Sequence, residues 1–187
     1  MDHYIDLALR PDPEFAAHQL MAALYAKLHR ALVAADHGEI GVSFPDMDQR
    51  ARRLGDHLRL HAGQADLLTL MQSGWLAGMR DHVDCTVPIP VPEQTKHRTV
   101  RRVQADSNPE RLRRRLMRRH HIDADLAHER IPDHAATLLS LPFVQMRSSS
   151  TGQHFRLFIE HGTLQSTPSV GTFSAYGLSS TATIPWF

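Results

Sequence analysis

The chain has 187 residues and a mass of 21.1 kDa, which is enough for one domain or two small ones and excludes a large multidomain enzyme. Hydrophobic residues make up 42% of it, as in folded globular proteins, so a disordered or fibrous class is excluded. The net charge is +1, but the two halves of the chain have opposite charge. Residues 1–95 contain 8 basic and 13 acidic residues, and residues 96–187 contain 13 basic and 7 acidic residues.

The first half of the chain is predicted to contain two helices and four strands in the order βαββαβ, from hydrophobic periodicity and turn residues. The elements are a strand at Tyr4–Leu9, a helix at Pro13–Ala35, a strand at Ile40–Phe44, a strand near His57–His61, a helix from Gln64 to about Met79, and a strand from about Asp84. The apolar stripe of the first helix consists of Ala17, Leu20, Met21, Leu24, Leu28 and Leu32. This order is typical of a ferredoxin-like domain, which many unrelated proteins contain, so it names no function.

Three alternating prolines, Pro88, Pro90 and Pro92, follow the last of these strands. Proline cannot donate to a strand ladder, so the fourth strand is predicted to lie at an edge or to end early. Residues Val87–His97 are predicted to be a linker, which divides the chain into domains 1–94 and 95–187.

The second domain is predicted to be smaller and irregular, which makes the whole chain α+β. Its predicted elements are an extended stretch at Thr99–Gln104, helices at Asn108–Arg119 and Asp123–Arg130, a hairpin of strands Phe143–Met146 and His154–Glu160, and a tail of short strands that ends at Pro185–Phe187.

The helix at Asn108–Arg119 carries arginines on one face and leucines on another. At 100° per residue, four arginines fall on one stripe with a fifth beside it: Arg111, Arg114, Arg115, Arg118 and Arg119. Such a stripe is often a solvated surface. Here the like charges repel one another with no acidic residue nearby except Glu110, which favours phosphate binding. Arginine also supplies 19 of the 21 basic residues and suits bidentate contacts with phosphates and guanine edges.

The extended stretch before that helix continues the basic patch through Arg98, Arg101, Arg102 and Gln104. Arg102 and Gln104 are two residues apart on one face of an extended segment, and their side chains suit guanine and adenine edges.

Several other residues allow two interpretations. His29 lies on the first helix at the margin of the leucine stripe, where a histidine is usually idle. Phe155 is either core or an exposed ring on which a base stacks, depending on which face of its strand is buried. The pairs His57/His61 and His120/His121 have metal-ligand spacing but no recognisable further ligands, so no metal and no cofactor are predicted.

Cysteine content and hydropathy bear on the compartment. The one cysteine, Cys85, cannot form an intramolecular disulfide. The N-terminal residues lack the pattern of a signal peptide, and no stretch approaches about 18 apolar residues. We therefore expect a cytoplasmic protein that has no contact with membranes.

Several strings of residues closely resemble the Csy4 family, the repeat-RNA endoribonucleases of subtype I-F CRISPR systems. The most specific are SNPERLRRRLMRRH at Ser107–His120 and STGQHFRLFI at Ser150–Ile159. Further matches are Met1–Tyr4, Leu9–Phe15, Leu141–Val144, Tyr176–Leu178 and Pro185–Phe187, so the similarity covers essentially the whole chain.

The resemblance implies a site and a substrate. It implies that the active site consists of His29, Ser148 and Tyr176, with Ser150 nearby. It also implies that Arg102 and Gln104 read bases at the foot of a repeat hairpin, that Phe155 stacks on the closing base pair, and that the arginine helix, including His120, lies in the major groove.

The reaction implied by the resemblance is metal-independent. The ribose 2′-OH upstream of the scissile phosphate is the nucleophile, and the products are a 2′,3′-cyclic phosphate or 3′-phosphate and a 5′-OH. The expected partners are the CRISPR repeat hairpin RNA and other subunits of the type I-F surveillance complex, and the free protein is expected to be a monomer.

Two other classes remain open from the residues alone. A non-catalytic RNA-binding subunit would keep the arginine helix without needing His29. A DNA-binding regulator would need a recognition helix followed by a dimer surface, for which the sequence offers no pattern.

Overall fold

Residues 1–35, 38–104, 109–131, 140–148 and 151–187 are described by the structure, which is a computed structural model. This part of the chain contains both helices and sheets, so the α+β class is confirmed. The helices are α1 (Ala17–Ala35), α2 (Gln64–Gln72), α3 (Pro109–His120) and α4 (Ala124–Arg130). The strands are β1 (His3–Leu9), β2 (Gly41–Ser43), β3 (His57–Ala62), β4 (Val83–Cys85), β5 (Ile89–Pro90), β6 (Lys96–Arg98), β7 (Val100–Val103), β8 (Phe143–Arg147), β9 (His154–His161) and β10 (Ile184–Trp186).

The largest sheet has the strand order β2-β3-β1-β4, with every pair antiparallel. Every second side chain of β1 points into the core, where Ile5, Leu7 and Leu9 are buried. On the opposite side, Asp6 of β1 is in register with Arg59 of β3 and accepts hydrogen bonds from its Nε at 2.6 Å and its Nη2 at 3.0 Å.

Helix α1 packs its predicted leucine stripe into the core but begins four residues later than predicted. The carboxylate of Asp12 accepts hydrogen bonds from the backbone N–H groups of Glu14 and Phe15, which forms a turn before the helix. The side chain of Gln19 then reaches back to accept from the N–H of Ala16. Ala17 was predicted to join the stripe, but it is the first residue of the helix and is exposed, whereas Leu20 is the first member of the stripe to be buried.

Helix α2 was predicted to continue to about Met79 but ends at Gln72. Gly74 has a φ of +69°, a left-handed conformation that glycine adopts without strain and that terminates helices. The apolar periodicity persists beyond this point because Trp75, Leu76 and Met79 of the following turns are also buried. A buried turn and a buried helix therefore produced the same sequence pattern.

The segment predicted to be a linker, Val87–His97, contains two strands. Strand β5 pairs with β1, where His3 lies opposite Pro90, and β6 pairs with β10. The prolines predicted that the fourth strand lies at an edge or ends early. In agreement, β4 is short and is the last strand in the order β2-β3-β1-β4.

The predicted hairpin is confirmed as β8 and β9, which pair from Phe143 opposite Phe158 to Arg147 opposite His154. Strand β7 adds to the other side of β9, which gives a second sheet with the order β7-β9-β8. Helix α1 packs against β8, so this sheet shares the core of the first.

The chain forms two compact units, one of residues Met1–Val103 with Leu141–Phe187 and one of Gln104–Ser140. In the second unit α3 and α4 contact each other, and Asp123 caps α4 by accepting from the N–H of Leu126 at 2.8 Å. The predicted domain boundary at residue 95 stays a prediction.

Candidate active site and nucleic-acid interface

His29 projects from α1 at the margin of the core, where it is half-buried as its helical position predicts. Its Nδ1 donates a hydrogen bond to the backbone carbonyl of Ala175 at 2.8 Å. A carbonyl oxygen only accepts, so this contact assigns the proton of the neutral ring to Nδ1 and leaves a lone pair on Nε2. In the neutral ring, Nε2 is therefore the nitrogen that can accept a hydrogen.

Tyr176 stacks on the imidazole of His29. The two ring centroids are 4.1 Å apart and the planes are 6° apart. The contact restricts rotation of the imidazole, so the stack and the hydrogen bond from Nδ1 together define the direction of Nε2.

The turn that carries Tyr176 is fastened to β2. Gly177 has a φ of +67°, and its carbonyl accepts from the N–H of Val42 at 2.9 Å. A Cβ atom at Gly177 would lie 2.6 Å from Cγ1 of Val42, so a side chain here is excluded by space as well as by conformation. Glycine at this position lets the turn approach the sheet closely.

Arg102 lies on β7 with an exposed side chain whose guanidinium carbon is 5.8 Å from the ring centroids of both Tyr176 and Phe155. The structure thus brings together four of the residues singled out in the sequence: His29, Arg102, Phe155 and Tyr176. Phe155 is half-buried on β9, so it is neither fully core nor a fully exposed ring. A positive charge lies beside two aromatic rings, an arrangement that suits a nucleotide.

Ser148 and Ser150 belong to the hydroxyl-rich turn between β8 and β9. The half-buried Ser148 accepts a hydrogen bond at its Oγ from the N–H of Thr151 at 3.2 Å, and its own N–H donates to Gln153 at 2.9 Å. Arg147 closes the turn from outside by donating from Nε to the carbonyl of Gly152 at 3.1 Å. Ser150 lies outside the described residues, and the catalytic role of Ser148 stays a prediction.

The second compact unit carries the arginine helix, which is α3. The side chains predicted to form its basic face are exposed at Arg114, Arg115, Arg118, Arg119 and His120. Leu112 and Leu116 on the other face are half-buried. The backbone of Arg111 is helical, but its side chain is outside the described part of the structure, as is Asn108, where the helix was predicted to begin.

Arg113 lies apart from the predicted stripe. It is half-buried and donates from Nε to the carbonyl of Ile131 at 2.7 Å, so it connects α3 to the end of α4. Gln104, the first residue of this unit, has an exposed side chain.

Two arginines that the sequence analysis added to the basic patch have partners within the protein. Arg98 donates from Nε and Nη2 to the carbonyl of Gly162 at 3.0 and 2.8 Å, and its guanidinium lies 4.5 Å from the ring centroid of Trp186. Arg101 forms an ion pair with Glu160 at 2.7 Å. These contacts hold Arg98 and Arg101 to the sheets.

Sequence reasoning missed two parts of the site. The hydroxyl of Tyr25 donates to the carbonyl of Tyr176 at 2.6 Å, and no sequence pattern had singled out Tyr25. Its position four residues before His29, on the same side of the helix, was the available signal. The carbonyl of Ala175 is a backbone group and has no sequence signature.

The histidine pairs do not form metal sites among the described residues, where no group of three or more His, Cys, Asp or Glu side chains comes together. His61 is instead fully buried, with its Nε2 2.9 Å from Oγ of Ser43, and burial lowers its pKa to about 3. None of the described helices is long and apolar enough to cross a membrane.

Comparison with known proteins shows which family the chain belongs to. The sequence profile of the family described as "CRISPR-associated protein (Cas_Csy4)" matches residues 4–187. A protein named CRISPR-associated endonuclease Cas6/Csy4 from Pseudomonas aeruginosa (strain UCBPP-PA14) is 58% identical over 187 residues, and the alignment covers 100% of both chains. A protein of the same name from Escherichia coli (strain UTI89 / UPEC) is 48% identical, again over 100% of both chains. The chain therefore belongs to the Cas_Csy4 family of CRISPR-associated proteins.

Proposed function

We propose that this protein is an endoribonuclease that binds the hairpin of CRISPR repeat RNA and cleaves it at the 3′ foot, which generates guide RNAs, and that it stays bound to the product. The observation that carries the proposal is the constellation of His29, Tyr176, Arg102 and Phe155, in which an oriented imidazole lies beside a cation and an aromatic ring. Membership in a family whose relatives are named endonucleases supports it.

The proposed reaction needs no metal because the substrate supplies its own nucleophile. The 2′-oxygen of the ribose upstream of the cut forms a bond to phosphorus while the bond from phosphorus to the 5′-oxygen breaks. His29 Nε2 accepts or positions the proton of the 2′-OH, and the leaving 5′-oxygen takes a proton from water, so that no net proton is gained or lost. The products are a 2′,3′-cyclic phosphate, or the 3′-phosphate derived from it, and a 5′-OH.

The remaining site residues are assigned to binding the substrate at the foot of the stem. Ser148 holds the attacking ribose, with Ser150 beside it. Arg102 and Gln104 contact base edges, and Phe155 stacks on the closing base pair. The exposed side chain of Arg102, next to both aromatic rings, supports this assignment.

The arginines of α3 are assigned to the phosphates of the stem. An A-form major groove is normally too deep and narrow for side chains, but it opens near the end of a short hairpin, where long arginine side chains reach in. The arginines that this assignment uses are Arg111, Arg114, Arg115, Arg118 and Arg119, together with His120. The exposure of five of these six side chains supports the assignment.

We further infer that residues 1–94 are a ferredoxin-like domain and residues 95–187 an RNA-binding domain. The antiparallel order β2-β3-β1-β4, with α1 and α2 both packed on β1, supports the first part. A cytoplasmic monomer that joins other subunits of a type I-F surveillance complex completes the proposal.

The experiment is single-turnover cleavage of a repeat hairpin RNA in excess chelator, beside the same RNA with one 2′-deoxy substitution upstream of the cut. We expect the intact RNA to be cut at its full rate and the substituted RNA to be bound but not cut. Loss of cleavage in chelator, with rescue by Mg²⁺ or Mn²⁺, would contradict metal independence. Cleavage of the 2′-deoxy RNA would contradict attack by the 2′-OH, and tight binding without cleavage of either RNA would identify a non-catalytic subunit.

A further inference from the structure

Helix α1 holds the turn that carries Tyr176 at two consecutive backbone carbonyls. The hydroxyl of Tyr25 donates to the carbonyl of Tyr176 at 2.6 Å, and Nδ1 of His29 donates to the carbonyl of Ala175 at 2.8 Å. Tyr25 and His29 are four residues apart, so their side chains lie one above the other on the same side of the helix. Two side chains on one face of α1 therefore donate hydrogen bonds to the same turn, one from the proposed catalytic residue and one from Tyr25.

Tyr25 is built into the core and only its hydroxyl serves this contact. Its side chain is 1% exposed, and its ring packs against Phe44 with the centroids 5.8 Å apart. Burial raises the pKa of the hydroxyl well above its usual value, so the group keeps its proton and donates a hydrogen bond at neutral pH. A buried hydroxyl requires a partner, and the Tyr176 carbonyl is that partner.

We propose that Tyr25 is a positioning residue of the active site, whose hydroxyl holds the 174–177 turn so that the Ala175 carbonyl and the Tyr176 ring keep the imidazole of His29 in its reactive orientation and tautomer. This inference rests on the proposed function of His29. Tyr25 does not touch the RNA in this proposal, because its side chain is buried beneath the turn.

The tautomer explains why a buried hydroxyl affects the reaction. His29 needs a lone pair on Nε2 to accept a proton, and the acceptor at Nδ1 decides which nitrogen carries the hydrogen. The turn is held on its other side by the hydrogen bond from Val42 to Gly177. Without the hydroxyl of Tyr25, the turn keeps its internal hydrogen bonds, the bond from Val42 and its contacts with His29. It loses the hydrogen bond that fixes the Tyr176 carbonyl, which is next to the carbonyl that His29 uses.

The test is Tyr25→Phe, which keeps the ring and removes the hydroxyl. We expect single-turnover cleavage of the hairpin RNA to slow by about 10- to 100-fold, the effect of a small misplacement at a reacting group, while the affinity for the RNA stays within about twofold. In the His29→Ala background the same substitution should have no further effect on the cleavage rate, because Tyr25 acts through His29. Nitrogen chemical shifts of the His29 ring, assigned by their loss in His29→Gln, should report the Nδ1–H tautomer in the wild type and a mixture in Tyr25→Phe.

Thr183→Val is the matched control. Thr183 is 7% exposed, and its Oγ1 accepts a hydrogen bond from the N–H of Ser169 at 2.8 Å, so this variant also removes a buried hydroxyl without changing the size of the side chain. We expect it to lower the melting temperature as Tyr25→Phe does, without changing the cleavage rate or the tautomer of His29.

Three outcomes would overturn the inference: wild-type cleavage by folded Tyr25→Phe, an equal loss of rate when Tyr25→Phe is added to His29→Ala, or an Nε2–H tautomer of His29 in the wild type. The last measurement needs no variant at Tyr25, so an Nε2–H result would overturn the inference even if Tyr25→Phe does not fold. Failure of the proposed function is distinct, because then the wild type itself does not cleave the RNA.

Discussion

The rings of His29 and Tyr176 are parallel, 4.1 Å apart between centroids and 6° apart between planes. The two residues come from α1 and from a turn near the C-terminus, and only folding brings them together. The stack covers one face of the imidazole and leaves the edge with Nε2 uncovered by this contact. It therefore restrains the ring without occupying the nitrogen that the proposed reaction uses.

Removal of the imidazole should separate chemistry from binding. General acid–base assistance is typically worth about 10² to 10⁴ in rate, so His29→Ala should cleave at least ~100-fold more slowly and bind the hairpin RNA as tightly as before. Single-turnover cleavage beside equilibrium binding measures both quantities. His18→Ala, which removes an exposed histidine from the same helix, should change neither. Full-rate cleavage by His29→Ala would remove His29 from the mechanism.

The ring of Tyr176 should matter more than its hydroxyl. The stack on His29 uses the ring, and the hydrogen bond from Tyr25 uses the backbone carbonyl. We therefore expect Tyr176→Phe to cleave within about threefold of the wild type and Tyr176→Ala to lose about 10- to 100-fold, because the imidazole loses its lateral restraint. The measurement is the single-turnover rate of both variants at equal folded concentration. Equal losses in the two variants would instead assign the role to the phenol oxygen.

The arginines of α3 should contribute to affinity through phosphates. Arg115→Ala and Arg118→Ala should each weaken hairpin binding and reduce the slope of log affinity against log salt concentration by roughly 1. Titrations at several salt concentrations measure the slope. Arg80→Ala is the control, since this exposed arginine lies outside the basic part of the chain and should leave the slope unchanged. A wild-type slope near zero would be incompatible with groove binding by α3.

Buried His61 should make the fold sensitive to acid. Burial lowers its pKa from 6.5 to about 3, so between these values the unfolded chain binds a proton that the folded chain does not. The contribution of His61 to the free energy of unfolding is therefore complete above pH 6.5. It decreases as the pH falls towards 3, by up to about 1.4 kcal/mol per pH unit. Denaturant unfolding at pH 7 and pH 4.5 measures this loss.

His61→Gln should reduce the difference in unfolding free energy between those two pH values, because it removes the titrating group and keeps a side chain that can bond to Ser43. His18→Gln, which replaces an exposed histidine, should keep the wild-type difference. If His61→Gln were as acid-sensitive as the wild type, the dependence would have to come from other groups.

Local patterns in the sequence were sufficient for much of the secondary structure. Alternation predicted β1 and the β8–β9 hairpin, and three- and four-residue spacing predicted the buried face of α1, because both patterns reflect a single element with one side in the core. The same periodicity failed at the end of α2, where Gly74 ends the helix while Trp75 and Leu76 stay buried. Burial continued there although the helix did not.

For the site, the sequence alone determined which residue types were available. Its resemblance to a family implied that His29, Ser148 and Tyr176 form an active site and that Arg102 and Phe155 contact the RNA. Only the tertiary structure shows that Nδ1 of His29 and the hydroxyl of Tyr25 donate to the same turn, since both acceptors are backbone carbonyls, at Ala175 and Tyr176. Every residue has such a carbonyl, so no side-chain pattern marks the ones that matter. The 174–177 turn places the carbonyls of Ala175 and Tyr176 within hydrogen-bonding distance of two side chains of α1.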